Sequence, residues 1–163
     1  MSPKRSKTPR DRQVSGAAEG SASVEQAADA DEQLIRRYYA AFNARRFDEC
    51  VAIISPDCEF DHVVTRDRTH GRRGYVALVH QWLDASSDLT LAAERIVRLE
   101  PGRYRVRLHL QGHRDGEFPI GRTGRLPADG SRLDFVGTHD IDVRGGLIVS
   151  SRFSYDPADL TGG

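Results

Sequence analysis

An α+β fold, with three N-terminal helices packed on one face of a curved, mostly antiparallel sheet, is what the 163-residue chain predicts. Three observations lead there. In the first half apolar residues recur with helical spacing, most clearly Tyr75, Leu78, Val79, Trp82 and Leu83 at i, i+3, i+4, i+7 and i+8. In the second half the period changes to two, as in "RYRVRLHLQGH" and "RLDFVGTHDIDV". The strand-like runs flank "PG" and "RGG", which are turn sequences, so they pair as two hairpins. Helices followed by a strand meander make a sheet covered on one side.

Residues 1–30 hold only Met1, Val14 and Val24 as large apolar side chains, and Lys4, Arg5, Lys7, Arg10 and Arg12 crowd the front. Such a composition cannot offset the entropy of ordering, so a disordered tail is expected there, with one domain over 31–160. In "DADEQLIRRYYAAFNARR" Asp29 is the expected N-cap, with Glu32 three residues on and Leu34, Tyr38, Ala41 and Phe42 on the buried face. "FDECVAIISP" is a second, shorter helix stopped at Pro56. "CEFDHVV" follows as a strand that puts Phe60, His62 and Val64 on one face, and the polar "TRDRTHGRRG" reads as a loop before the third helix.

Alternation sets the sheet faces. Tyr104, Val106, Leu108 and Leu110 point inward; so do Leu133, Phe135, Gly137, His139, Ile141 and Val143, and then Val149, Ser151, Phe153 and Tyr155. Arg103 and Arg105 lie outward, as do Asp140 and Asp142, and antiparallel pairing sets Arg105 opposite Asp140 and Arg103 opposite Asp142. The segment 114–131, rich in Gly and Pro, joins the hairpins as a loop.

Several function classes lose support. Formal net charge is zero, so the attraction to phosphate that drives non-specific nucleic-acid binding is missing outside the basic tail. No run of about eighteen apolar residues could span a membrane, and no apolar run follows the basic front as in a signal peptide, which makes a cytoplasmic protein the expectation. Cys50 and Cys58 have no zinc-ligand spacing. His109 and His113 lie about 13 Å apart along one strand face, too far to share an ion, so no metal is expected. No glycine-rich phosphate loop joins a strand to a helix and no Gly-x-Ser-x-Gly elbow occurs; no cofactor is expected.

"YYAAFNARRFDECVAIISPDCEF" and "DFVGTHDIDVRGGLIVSSRFSYD", in this order of elements, resemble the NTF2-like superfamily, whose domains are cones closed by a curved sheet. "GHRDGEF" followed by "DGSRLDF" is similar to the SnoaL-like polyketide cyclases within it. "RRYYAAFNA" and "PDCEFDH" also resemble ketosteroid isomerases, a likeness that implies Tyr38 at the oxyanion-binding position, His62 at the catalytic Asp, and His139, through "IVSSRFSY", at the second Asp. The resemblance implies catalytic roles for His62, Tyr38 and His139 and a pocket lined by Asn43, Trp82, Leu108, His113, Phe135, Phe153 and Tyr155. Its implied partners are a hydrophobic carbonyl or polyketide-like small molecule and a second copy of the chain. A limonene-type epoxide hydrolase is not supported, because Phe153 stands where its second Asp would be.

A histidine is a suitable base for removing a proton beside a carbonyl, and a tyrosine a suitable donor to the oxygen that becomes negative. The same imidazole can equally be a hydrogen-bonded core residue. Two readings therefore stand open: a cofactor-independent enzyme of cyclisation or isomerisation, and a non-catalytic ligand-binding or dimerisation module.

Overall fold

The computed structural model describes residues 15–161. Their elements run α1 (Ser15–Asn43), α2 (Phe47–Ile53), β1 (Ile54–His62), β2 (Asp67–His70), α3 (Gly71–Ala85), β3 (Thr90–Glu100), β4 (Arg103–His113), β5 (Phe118–Ile120), β6 (Gly124–Leu126), β7 (Arg132–Arg144), β8 (Leu147–Tyr155) and α4 (Ala158–Thr161). Six strands form one sheet in the order β2-β1-β8-β7-β4-β3, with every pair antiparallel except β1 and β8. Helices α1, α2 and α3 close its inner face into an NTF2-like cone, an α+β architecture as the sequence implies.

The core lies between that face and the helices. Ile35 of α1, Ile54 of β1 and Ile141 of β7 are at most 1% exposed. Each such burial contributes about 1.5–3 kcal/mol relative to an exposed side chain. Cys50 and Cys58 are buried free thiols that act as small apolar fillers. On the outer face the register is the one predicted: Arg105 pairs with Asp140 through two bonds of 2.8 and 2.9 Å, and Arg103 Nε donates to Asp142 at 3.1 Å.

Four local differences from the sequence expectations have physical causes. Asp29 is not an N-cap, because the alanine-rich stretch before it continues α1 back to Ser15. Pro56 does not end a helix; α2 stops at Ile53, and Pro56 lies in β1 where the ladder to β8 jumps from Ile54 to Glu59, so its missing N–H costs no sheet hydrogen bond. The "TRDRTHGRRG" loop contains a short strand, β2, that covers the edge of β1. A bulge near Asp142–Val143 shifts the β7–β8 register, so Ile148 rather than Val149 is buried, and the inward set resumes at Ser151.

The segment 114–131 also carries more structure than a connecting loop. Its β5–β6 hairpin turns Phe118 inward until the ring is 1% exposed. The segment is tied to the end of α3 by a bond from Gly116 N to Ala85 O of 3.0 Å. A Cβ at Gly116 would lie 1.8 Å from Asp84 O, so only glycine lets the chain pass this close.

Residues 1–14 of the expected tail lie outside the described residues. Between residues 20 and 30 no described side chain is buried, whereas Leu34 and Ile35 are 4% and 0% exposed. A chain starting at Asp29 should therefore melt within about 2 °C of the full-length protein by differential scanning calorimetry; a drop beyond about 8 °C would mean that the removed segment packs.

Candidate active site

Between α1, α3 and the inner sheet face lies a cavity of about 70 Å³. It is mostly apolar. Phe60, Leu108, Leu110 and Phe153 supply the sheet side, Tyr38 and Phe42 the α1 side, and Tyr75, Leu78, Val79 and Trp82 the α3 side. Three polar side chains from the sheet reach it: His62, His139 and Ser151. Leu78 and Trp82 are the half-buried members on α3, so the cavity meets the surface on that side.

His62 is 6% exposed, and its Nδ1 lies 2.7 Å from Thr65 Oγ1 in the turn after β1. Its Nε2 is buried with no hydrogen-bond partner. The ring is boxed by Trp82, Phe153 and Tyr155 at centroid distances of 5.2, 5.6 and 5.9 Å. Burial pushes its pKa down to about 4 against the opposing pull of Asp67 and Asp61, so the imidazole is neutral at pH 7. A neutral ring with one nitrogen held by a hydroxyl and the other free in an apolar wall can accept or donate one further hydrogen bond.

His139 differs in having both nitrogens engaged. Tyr39 Oη lies 2.6 Å from its Nδ1 and Ser151 Oγ 2.7 Å from its Nε2. Burial again takes the pKa down to about 4, opposed by Asp140 and assisted by His62. The resemblance points to Tyr38, yet the tyrosine bonded to His139 is Tyr39. Tyr38 does line the cavity, edge-on to Tyr39 at 5.2 Å, and burial raises its pKa, which keeps it a neutral donor.

Phe153 stands between the imidazoles, 5.6 Å from His62 and 6.0 Å from His139 by ring centroids. Its ring lies over Gly137 of β7, where a Cβ would approach Phe153 Cε2 to 2.5 Å. A second, pinched chamber of about 10 Å³ lies beyond His62, walled by Trp82, Phe118 and Tyr155. Phe135 packs against Tyr155 and Phe118 at 5.1 and 6.3 Å and so shapes that chamber from behind.

Of the remaining expected pocket residues, Trp82, Leu108 and Phe153 line the main cavity, and two lie elsewhere. Asn43 caps the end of α1 against the edge of β3, donating to Leu91 O at 2.7 Å and accepting from Leu91 N at 2.8 Å. His113 is exposed and bonded to Asp88 through Nδ1 at 2.7 Å and its backbone N–H at 2.8 Å. Tyr39, Thr65, Ser151 and Phe118 are the additions. Tyr39 follows Ile35 by four and precedes Phe42 by three, a spacing that puts it on the buried stripe of α1. Among the described residues no three His, Cys, Asp or Glu side chains gather as metal ligands. Among those residues no helix is long and apolar enough to cross a membrane.

The chain matches the family model described as SnoaL-like polyketide cyclase over residues 32–161. No curated protein matches it significantly. Among solved structures it is similar to a candidate SnoaL-like polyketide cyclase from Jannaschia sp. CCS1 (15% identity, TM-score 0.69, covering 83% of this chain and 94% of that one). It is likewise similar to IdmH, a candidate polyketide cyclase from Streptomyces antibioticus (20%, 0.67, 81% and 96%). A third is a protein of ketosteroid isomerase-like fold from Catenulispora acidiphila in complex with trimethylamine (11%, 0.65, 79% and 89%). At these identities the likenesses establish the fold. The cone, its cavity and the match across residues 32–161 place the chain in the SnoaL-like polyketide cyclase family.

Proposed function

We propose that the protein is a cytoplasmic, cofactor-independent enzyme that moves a proton on a small hydrophobic carbonyl compound, in a cyclisation or isomerisation. The observation that carries this reading is His62 Nε2, buried and without a partner in the wall of an apolar cavity. With Nδ1–H donating to Thr65 Oγ1, Nε2 holds its lone pair toward the ligand and takes the proton from the carbon next to the carbonyl. Tyr38, kept neutral by burial, donates to the oxygen that gains charge, a role worth about 10²–10³ in rate in enzymes of this type. The family's name favours a polyketide-like substrate.

A second reading, a non-catalytic small-ligand module, draws support from the cavity's size. About 70 Å³ is well below the roughly 300–1,000 Å³ of ordinary ligand pockets, so a polyketide needs α3 to move outward at Leu78 and Trp82. A homodimer is part of the proposal. The charge ladder of Arg103–Asp142 and Arg105–Asp140 on the outer face, extended by Glu94 to Arg107 at 2.8 Å, offers a patterned surface to a second copy. Sedimentation at tens of micromolar should show that dimer, and monomer alone would remove it.

His62→Gln separates the two readings. The amide keeps one hydrogen bond but accepts no proton near pH 7. For an enzyme, turnover of a small ketone screened by mass spectrometry should fall at least about 100-fold while ligand binding stays within about threefold; full activity in the Gln variant would exclude His62 as base.

The same variant tests the imidazole's titration. His62 has a folded pKa of about 4 against about 6.5 unfolded, so the unfolded chain binds more protons in between. The stability this gives is complete above pH 6.5 and is lost as pH falls through 4. Unfolding free energy from urea titrations should drop on acidification by up to about 1.4 kcal/mol per pH unit on this account, and that slope should be shallower in His62→Gln.

A further inference from the structure

We propose that Ser151 is a second hydrogen-bond donor to the ligand's carbonyl oxygen, beside Tyr38, its proton turned into the cavity by a one-way relay from Tyr39 through His139. This deepens the carbonyl-binding reading above and rests on it. The geometry is a line of three groups: Tyr39 Oη, 2.6 Å from His139 Nδ1, and His139 Nε2, 2.7 Å from Ser151 Oγ. Tyr39 belongs to α1, His139 to β7 and Ser151 to β8, so three elements hold the line. At its far end Ser151 is half-buried and faces the same cavity as His62.

Proton accounting fixes the direction. A neutral imidazole has one N–H and one lone pair, so between two hydroxyls it accepts from one and donates to the other. Tyr39 is 3% exposed and has no second side-chain partner among the described residues, so its hydroxyl proton has one acceptor within reach, Nδ1. Were Nδ1–H instead to donate to Tyr39 Oη, the tyrosine proton would be shut in the core with nothing to bond, which is the arrangement buried polar groups avoid. Tyr39 therefore donates to Nδ1, Nε2–H donates to Ser151 Oγ, and the serine's own proton is left for the cavity. Each bond in the line polarises the next.

The arrangement also changes the part played by His139. With its lone pair occupied by Tyr39 it accepts no proton from substrate; it is a positioning residue that fixes the orientation of Ser151. The base function stays with His62, on β1, and the donor function gains a member on β8, the neighbouring parallel strand, where Phe60 pairs with Ser151 and His62 with Phe153. An acceptor nitrogen and a donor hydroxyl on adjacent strands of one apolar cavity suit a ligand with a carbonyl and an acidic carbon beside it.

The test does not need turnover. In the ¹⁵N-labelled full-length protein at pH 7, long-range ¹H–¹⁵N correlation should show His139 with Nε2 protonated and Nδ1 at the shift of an unprotonated acceptor. A protonated Nδ1 would overturn the relay. Tyr39→Phe, close to isosteric, should abolish that preference; an unchanged tautomer in the variant would also overturn it. For the ligand end the probe is ¹³C-carbonyl cyclohexanone at tens of millimolar, read by infrared difference spectroscopy. A carbonyl band shifted to lower frequency in the wild type and lost in Ser151→Ala supports the contact, and the same band in both, or no protein-bound band at all, overturns it. A fully active His62→Gln with the His139 tautomer and the cyclohexanone band as expected would sink the base while leaving the donor standing.

Discussion

Two imidazoles inside an apolar shell impose the constraint on which the rest of this site depends. Both are desolvated enough to be neutral at physiological pH, and a neutral imidazole still brings a donor and an acceptor that must be matched or left in want of a ligand. Hydroxyls meet most of that demand: Thr65 for one ring, Tyr39 and Ser151 for the other. Carboxylates in those places would have favoured the charged imidazolium and pulled water in. With these neutral partners the two imidazoles keep one unmet atom between them, His62 Nε2, beside the buried and unpartnered hydroxyls of Tyr75 and Tyr155.

Much of this fold is legible in the sequence because two periods write it. The 3.6 spacing of Tyr75, Val79 and Trp82 specifies the face of α3, and the alternation through β4 and β7 specifies both the sheet face and the pairing of Arg105 with Asp140. Features that depend on contacts distant in the chain escape those periods. Pro56 inside a strand is tolerated only because the neighbouring strand skips that stretch, and Phe118 becomes buried only because a three-residue strand folds back on another. The N-terminal extension of α1 shows the opposite failure: helix propensity is present with no apolar face to announce it.

The site was half legible for a related reason. Strand alternation turns His62, His139 and Ser151 inward, and nothing in it tells which imidazole is bonded on both sides. That distinction comes from Tyr39 on α1 and from Thr65 in a turn, neither of them on the strands that carry the histidines. Consecutive tyrosines on one helix are about 100° apart, so a resemblance can select Tyr38 while geometry hands the hydrogen bond to its neighbour. Asn43 and His113 are polar residues near apolar ones along the chain, and each spends its capacity on backbone or carboxylate outside the cavity.

Gly137 bears on how this cavity can diversify. The Phe153 ring lies where a side chain at 137 would begin, so the width of the space between the imidazoles is written at a position that does not itself line the cavity. A methyl group added there pushes the ring off β7 and into the cavity; a smaller residue at 153 opens the floor down to the bare backbone of the glycine. The pair 137 and 153 thus sets the size of the space, and the hydroxyl-held histidines set its polarity. The two are not independent, because the Phe153 ring also packs on His62 and His139, so a change at 137 or 153 reaches the imidazoles as well as the volume.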